Sequence, residues 1–180
     1  MEDKHGRPHL RLPDYDYSSG GAYFLTICTA NRENLFGEIV GDQMVLNEYG
    51  RIVEEEWRRS EEIRSEVQLG EFVVMPNHLH GIVILDPDEE EANCRLHLQA
   101  SKSPRRSRSI SSFVAAFKGV TTRRINALRG TPGQKVWQDN FFEHIIRNEK
   151  SFYRIATYIV DNPLRWALDQ ENPARQPQGR

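Results

Sequence analysis

The stretch Val67–Leu85 constrains this chain most: two runs dense in β-branched and large apolar residues are split by Pro76-Asn77. Glu71-Phe-Val-Val-Met runs in and Gly81-Ile-Val-Ile-Leu85 runs out, which predicts strands over 67–75 and 78–85. Within the second strand, His78-Leu79-His80 places two imidazoles on one face, because side chains alternate along a strand. A pair aimed that way can share one metal ion. Equally, strand histidines can be satisfied by ordinary hydrogen bonds, and a bare metal motif has a high false-positive rate. The pair needs corroboration from elsewhere in the chain.

The flanking sequence supplies a fold class. Residues 1–20 carry Pro8, Pro13 and a Ser-Ser-Gly-Gly run, reading as a flexible arm before the strand-like Ala22-Tyr-Phe-Leu-Thr-Ile-Cys-Thr29. Gly41-Asp42, between short apolar pieces over 36–46, favours a tight hairpin. Asn47 is a candidate N-cap for a helix carrying Tyr49, Ile52, Val53 and Trp57 on one face and ending near Ile63. Residues 86–108 pass from acidic to basic without apolar periodicity and read as a flexible loop. Helical spacing resumes at Ser109 with Ile110, Phe113, Val114, Phe117, Ile125 and Leu128, although Gly119 and two threonines weaken its middle. A turn at Arg129–Gly133, a short aromatic-rich strand within 136–147, a last helix over 148–161 and a disordered tail over 170–180 complete the chain. This order departs from the regular alternation of a doubly wound parallel sheet. It favours an α+β sandwich, with helices packed on one face of a mostly antiparallel sheet, as one domain over 21–169.

Charge is distributed unevenly. The formal net charge is −2, yet residues 101–138 hold nine Lys or Arg and no Asp or Glu, which marks that segment as a candidate for binding a polyanion. Lys102, Arg105, Arg106 and Arg108 fall in the loop, and Lys118, Arg123 and Arg124 on the following helix. From charge alone, a solvated helix face and a linker explain them as well as phosphate contacts do. Two cysteines, Cys28 and Cys94, build neither a disulfide framework nor a CxxC metal site, so a reducing cytoplasm is expected. No apolar run approaches the roughly 18–20 residues of a membrane span, and no leader-like segment opens the chain.

The last helix gives the His pair its partner. Phe152, Ile155, Ala156 and Ile159 define a buried stripe, and at about 100° per residue Tyr158 falls about 110° from its centre. Tyr158 therefore sits on the flank, with Arg154 four residues before it and Asn162 four after. Pro163 disfavours helical geometry at Asn162 and makes that position the less secure one. Taken alone, Tyr158 also fits an amphipathic tyrosine at the rim of a core. Phe141, Phe142 and Trp137 are aromatic and could stack on bases or belong to the core; His144 and Arg147 precede the helix.

Taken in order, Leu12-Pro-Asp-Tyr-Asp-Tyr, Gly21-Ala-Tyr-Phe-Leu-Thr-Ile-Cys-Thr, Leu35-Phe-Gly-Glu-Ile-Val, Val73-Val-Met-Pro-Asn-His-Leu-His-Gly, Phe117-Lys-Gly, Val136-Trp-Gln, Glu143-His-Ile-Ile-Arg-Asn-Glu and Tyr158-Ile-Val-Asp-Asn-Pro span nearly the whole chain. In this joint order the chain resembles the REP-associated tyrosine transposases, single-tyrosine enzymes within the wider His-hydrophobic-His nuclease superfamily. The resemblance implies a ferredoxin-like sheet core, His78 and His80 as metal ligands, Tyr158 as nucleophile on the C-terminal helix, and Asn162 at the third ligand position. It implies Mg²⁺ or Mn²⁺, since phosphate and amide oxygens complete a harder ligand set than imidazole alone, which would suit zinc equally. It also implies a single-stranded or hairpin DNA substrate, cleaved through a 5′-phosphotyrosine and rejoined, inside the bacterial cytoplasm at the nucleoid. On this reading Arg105, Arg106, Arg108, Lys118, Arg123, Arg124, Arg147 and Arg154 contact DNA. A domesticated protein that binds hairpins without cleaving them stands as the alternative, and a metal hydrolase with Tyr158 merely structural is a third. Monomer and homodimer both remain open.

Overall fold

A computed structural model describes residues 21–86 and 109–174. The expected 1–20 arm, most of the 86–108 loop with Arg105, Arg106 and Arg108, and the end of the tail lie outside them. Strand β1 (Gly21–Cys28) leads through one 3-10 turn into the hairpin β2 (Gly37–Val40) and β3 (Gln43–Leu46). Helix α1 (Glu48–Ile63), strands β4 (Val67–Met75) and β5 (His78–Leu85), helix α2 (Ile110–Arg129), strand β6 (Phe142–Ile146) and helix α3 (Glu149–Val160) follow, then a 3-10 helix over Pro163–Leu168.

Local chemistry accounts for these boundaries. Gly41 and Asp42 both take positive φ, at 54° and 63°, the twist that a two-residue hairpin needs. The side chains of Asn47, Ser109 and Asn148 accept from the amides of Gly50, Ser112 and Ser151, so each of the three helices is capped where its pattern begins. Helix α2 continues through Gly119 and its threonines, because buried Thr121 donates to the Phe117 carbonyl and receives the Trp137 indole N–H at 2.9 Å. Gly130, left-handed at φ 67°, ends it.

The main sheet has the order β4-β5-β1-β6, with every neighbouring pair antiparallel. Setting the β2-β3 hairpin aside, the chain runs βαββαβ, the ferredoxin-like arrangement. Alternation then sorts the sheet's two faces. Tyr23, Leu25, Ile27, Leu79 and Val83 turn toward α1 and α2, where Trp57 packs against Phe113 and Phe117 at ring separations of 5.4 and 5.2 Å. Gly81 is the close-approach point, because a Cβ there would meet the Trp57 ring. The opposite face carries Phe24, Ile82, Ile84 and Ile146, and α3 lies on it through Phe152, Ile155 and Ile159. Helices α1 and α2 thus share one face as expected. The amphipathic α3 covers the other face, which also bears the histidines.

Two boundaries differ from expectation. Residues 170–174 are part of the structure described, and the Glu171 carbonyl accepts from the Asn77 side chain at 2.6 Å, so the ordered chain runs past 169. Asn162 keeps helical angles, φ −59° and ψ −42°, despite the proline after it, because Pro163 opens a 3-10 helix and takes up the change of direction.

Candidate active site

Alternation along β5 points His78 and His80 away from Trp57, opposite Cys28 and Thr26 of β1 in the register. Their rings lie 4.4 Å apart, and both are buried. Helix α3, laid across the same face, brings the Tyr158 hydroxyl within 3.4 Å of His80 Nε2. Tyr158 is 37 % exposed, half in the fold and half facing solvent, as its flank position predicts. One helical turn on, Asn162 is fully buried, and its amide nitrogen donates to Asp169 Oδ2 at 3.2 Å. An open cleft of about 550 Å³ is lined by Phe24, Thr26, His80, Phe142, Tyr158, Asn162, Arg165 and the 168–171 segment.

Asp169 is the site residue that sequence reasoning missed. Donor atoms of His78, His80 and Asp169 all lie within 4.8 Å of one another. The buried His78 Nε2 and Asn162 Oδ1 have no hydrogen-bond partner among the described residues, which is unusual for buried polar atoms. Burial, and secondarily the Arg32 cation, push His78 down to about 3. Burial and then His78 hold His80 well below its ordinary value. Both imidazoles are therefore neutral at physiological pH, the form that ligates metal. Two imidazoles, a carboxylate and an amide oxygen fit a divalent ion of intermediate hardness. Tyr158 is raised, by burial first and then by Asp169, so its phenol is protonated at neutral pH.

Around this centre the residues are braced. Thr26 Oγ1 lies 2.8 Å from His80 Nδ1 and Asn77 Oδ1 lies 2.9 Å from His78 Nδ1. Arg32 pairs with Glu171 at 3.2 Å. The Cys28 thiol, 3.5 Å from Glu171, is pushed up to about 12 by burial and that carboxylate, and so is inert rather than nucleophilic.

The basic residues divide. Lys118, expected on DNA, donates its ammonium to the carbonyls of Gln138, Asp139 and Asn140 at 2.9–3.3 Å, a role internal to the fold. Arg124 bonds Glu56 and Glu55 at 2.6 and 2.8 Å and joins α2 to α1. Both belong to the helix layer across the sheet from the cleft. Arg123, Arg147 and Arg154 are exposed. The guanidinium lining the cleft is Arg165's, not that of Arg154. Trp137 is core, whereas Phe142 is 43 % exposed at the cleft, edge-on to Phe24 at 6.2 Å.

The fold and these residues define a class: a ferredoxin-like sheet with a two-histidine strand facing a tyrosine-bearing helix. A solved REP-associated tyrosine transposase bound to a REP hairpin shares that fold, with a TM-score of 0.57 at 21 % identity over 86 % of this chain and 73 % of the other. A putative transposase from Deinococcus radiodurans R1 aligns at a TM-score of 0.44 and 19 % identity, over 84 % of this chain and 95 % of its own. The chain belongs to one family with an uncharacterised protein of Haemophilus influenzae Rd, 44 % identical over 170 residues that cover 92 % of this chain and 93 % of that one. No family model matches the chain. Among the described residues, no helix is long and apolar enough to cross a membrane.

Proposed function

We propose that this protein is a metal-dependent DNA transposase that cleaves and rejoins single-stranded, hairpin-forming DNA of the REP type, with Tyr158 as covalent nucleophile. The observation that carries this reading is that one cleft brings together Tyr158, His80, Asn162 and Asp169, with the Tyr158 hydroxyl 3.4 Å from His80 Nε2 and a His78 donor atom within 4.8 Å of those of His80 and Asp169. A fold-stabilising tyrosine does not require an imidazole at its hydroxyl with a second imidazole and a carboxylate beside that one.

His78, His80 and Asp169, with Asn162 Oδ1, would hold Mg²⁺ or Mn²⁺. When bound, the ion supplies charge neutralisation on the phosphate and screens Asp169, lowering the cost of ionising the phenol. Tyr158 attacks the phosphorus, forming its Oη–P bond as the P–O3′ bond breaks. The proton lost by the phenol is balanced by the one the departing 3′-oxygen takes up. A 5′-phosphotyrosine and a free 3′-hydroxyl result, and attack by such a hydroxyl reverses the step, so rejoining consumes no nucleotide cofactor. Phe24 and Phe142 offer aromatic surface to unpaired bases beside the scissile phosphate, where stacking tolerates sequence. Arg165, together with exposed Arg147 and Arg154, supplies positive charge to the strand. Such an enzyme works on the nucleoid in the cytoplasm.

The test uses a labelled single-stranded hairpin with Mn²⁺ or Mg²⁺, denaturation, and detection of a protein–DNA adduct that Tyr158→Phe abolishes. Cleavage without an adduct would make the protein a hydrolase. Binding of hairpins without cleavage would make it a domesticated binder.

A further inference from the structure

The turn between β4 and β5 consists of Pro76 and Asn77, and Asn77 is fully buried although its side chain is polar. All of that side chain's hydrogen-bonding capacity has a direction. Its amide nitrogen donates to the Arg32 carbonyl at 3.1 Å and to the Glu171 carbonyl at 2.6 Å. Carbonyl oxygens only accept, so these two partners fix which end of the amide is nitrogen. Oδ1 must then be the atom facing His78 Nδ1 at 2.9 Å. It too only accepts, so the imidazole proton resides on Nδ1 and the lone pair on Nε2. That Nε2 is the buried atom left without a partner. His80 is held differently, because the Thr26 hydroxyl beside its Nδ1 can rotate to donate or accept and does not by itself choose a tautomer.

We propose that Asn77 is a positioning residue that locks His78 in the Nδ1–H tautomer and couples this metal donor to the segment carrying Asp169 and Glu171. The inference rests on the reading of His78 as a ligand. The lock is rigid because the Asn77 main chain is also held, its carbonyl accepting from the Thr29 amide at 2.8 Å. Three separate stretches of chain, at 29–32, 76–77 and 171, thus meet at one residue. Removing the acceptor lets the proton move to Nε2, where it blocks ligation. Supporting hydrogen bonds of this kind are typically worth roughly 10–100-fold in metal affinity.

The test combines long-range ¹H–¹⁵N spectra of the metal-free, full-length protein at neutral pH with Mn²⁺ titration followed by electron paramagnetic resonance. Wild type is expected to show His78 protonated on Nδ1 alone; a proton on Nε2 overturns the proposal without any variant being needed. Asn77→Ala should populate both tautomers and weaken Mn²⁺ binding about 10–100-fold. Asn77→Asp keeps the acceptor but sets a carboxylate oxygen against the Arg32 and Glu171 carbonyls. It should retain the Nδ1–H tautomer while loosening residues 169–171, seen as faster amide exchange there. Unchanged tautomer and Mn²⁺ affinity in a folded Asn77→Ala protein would refute the lock. Wild type that shows the expected tautomer but binds no Mn²⁺ would refute the ligand reading and spare the tautomer assignment, so the two failures are distinguishable.

Discussion

Burying two neutral histidines side by side makes the fold acid-sensitive in a way that can be worked out. His78 is held near 3 against an ordinary value of 6.5, chiefly by burial and then by Arg32, and His80 is depressed in the same direction. A group whose folded pKa lies below its unfolded one is protonated first in the unfolded chain. Its contribution is therefore complete above about pH 6.5 and is lost as the pH falls toward 3. Across that window His78 gives a slope of about 1.4 kcal/mol per pH unit, and His80 acts in the same direction. For His78 alone the loss is of order 4–5 kcal/mol, comparable with the ~5–15 kcal/mol that holds a typical domain together. Urea denaturation of metal-free wild type and His78→Gln, followed by tryptophan fluorescence between roughly pH 7 and pH 4, isolates this term because the carboxylates are common to both proteins. The variant should show a slope shallower by about 1.4 kcal/mol per pH unit below about pH 6. Parallel slopes in the two proteins would refute burial as the state of His78.

Other outcomes follow from the same geometry. Asp169→Asn should weaken Mn²⁺ binding at least tenfold in a calorimetric titration, and an unchanged affinity would leave Asn162 as the third ligand instead. Gly81→Ala drives a methyl into the Trp57 ring and should destabilise the fold by about 1–3 kcal/mol in urea. Lys118→Met strips its donor from three carbonyls and should cost about 1.5–3 kcal/mol of stability. It should leave the salt dependence of hairpin binding unaltered, whereas a log–log slope shallower by about one would place Lys118 on a phosphate.

Much of the framework was legible in the sequence because it is local. The apolar runs gave the strands, Gly41-Asp42 the hairpin, and Asn47 and Ser109 the starts of α1 and α2. Period-two alternation put His78 and His80 on one face, and helical periodicity placed Tyr158 at the edge of the buried stripe of α3. Periodicity shows which side of a helix is buried, but not which face of the sheet receives it. That α3 lies opposite α1 and α2 therefore emerged only in three dimensions. Asp169 gave no signal, since it follows Pro163 in a segment without apolar rhythm and reaches the histidines through chain reversal. A charge count does not record partners: Lys118 holds the 138–140 carbonyls and Arg124 holds α1.

In the proposed mechanism Tyr158 Oη becomes bonded to phosphorus. Digestion and mass spectrometry of protein incubated with a short single-stranded hairpin and Mn²⁺ test it most directly. A nucleotide adduct is expected on the Tyr158 peptide and absent in Tyr158→Phe, whose stability should lie within about 1 kcal/mol of wild type because the hydroxyl is half-buried and its contact with His80 is long. Cleaved DNA with an unmodified Tyr158 peptide would contradict it.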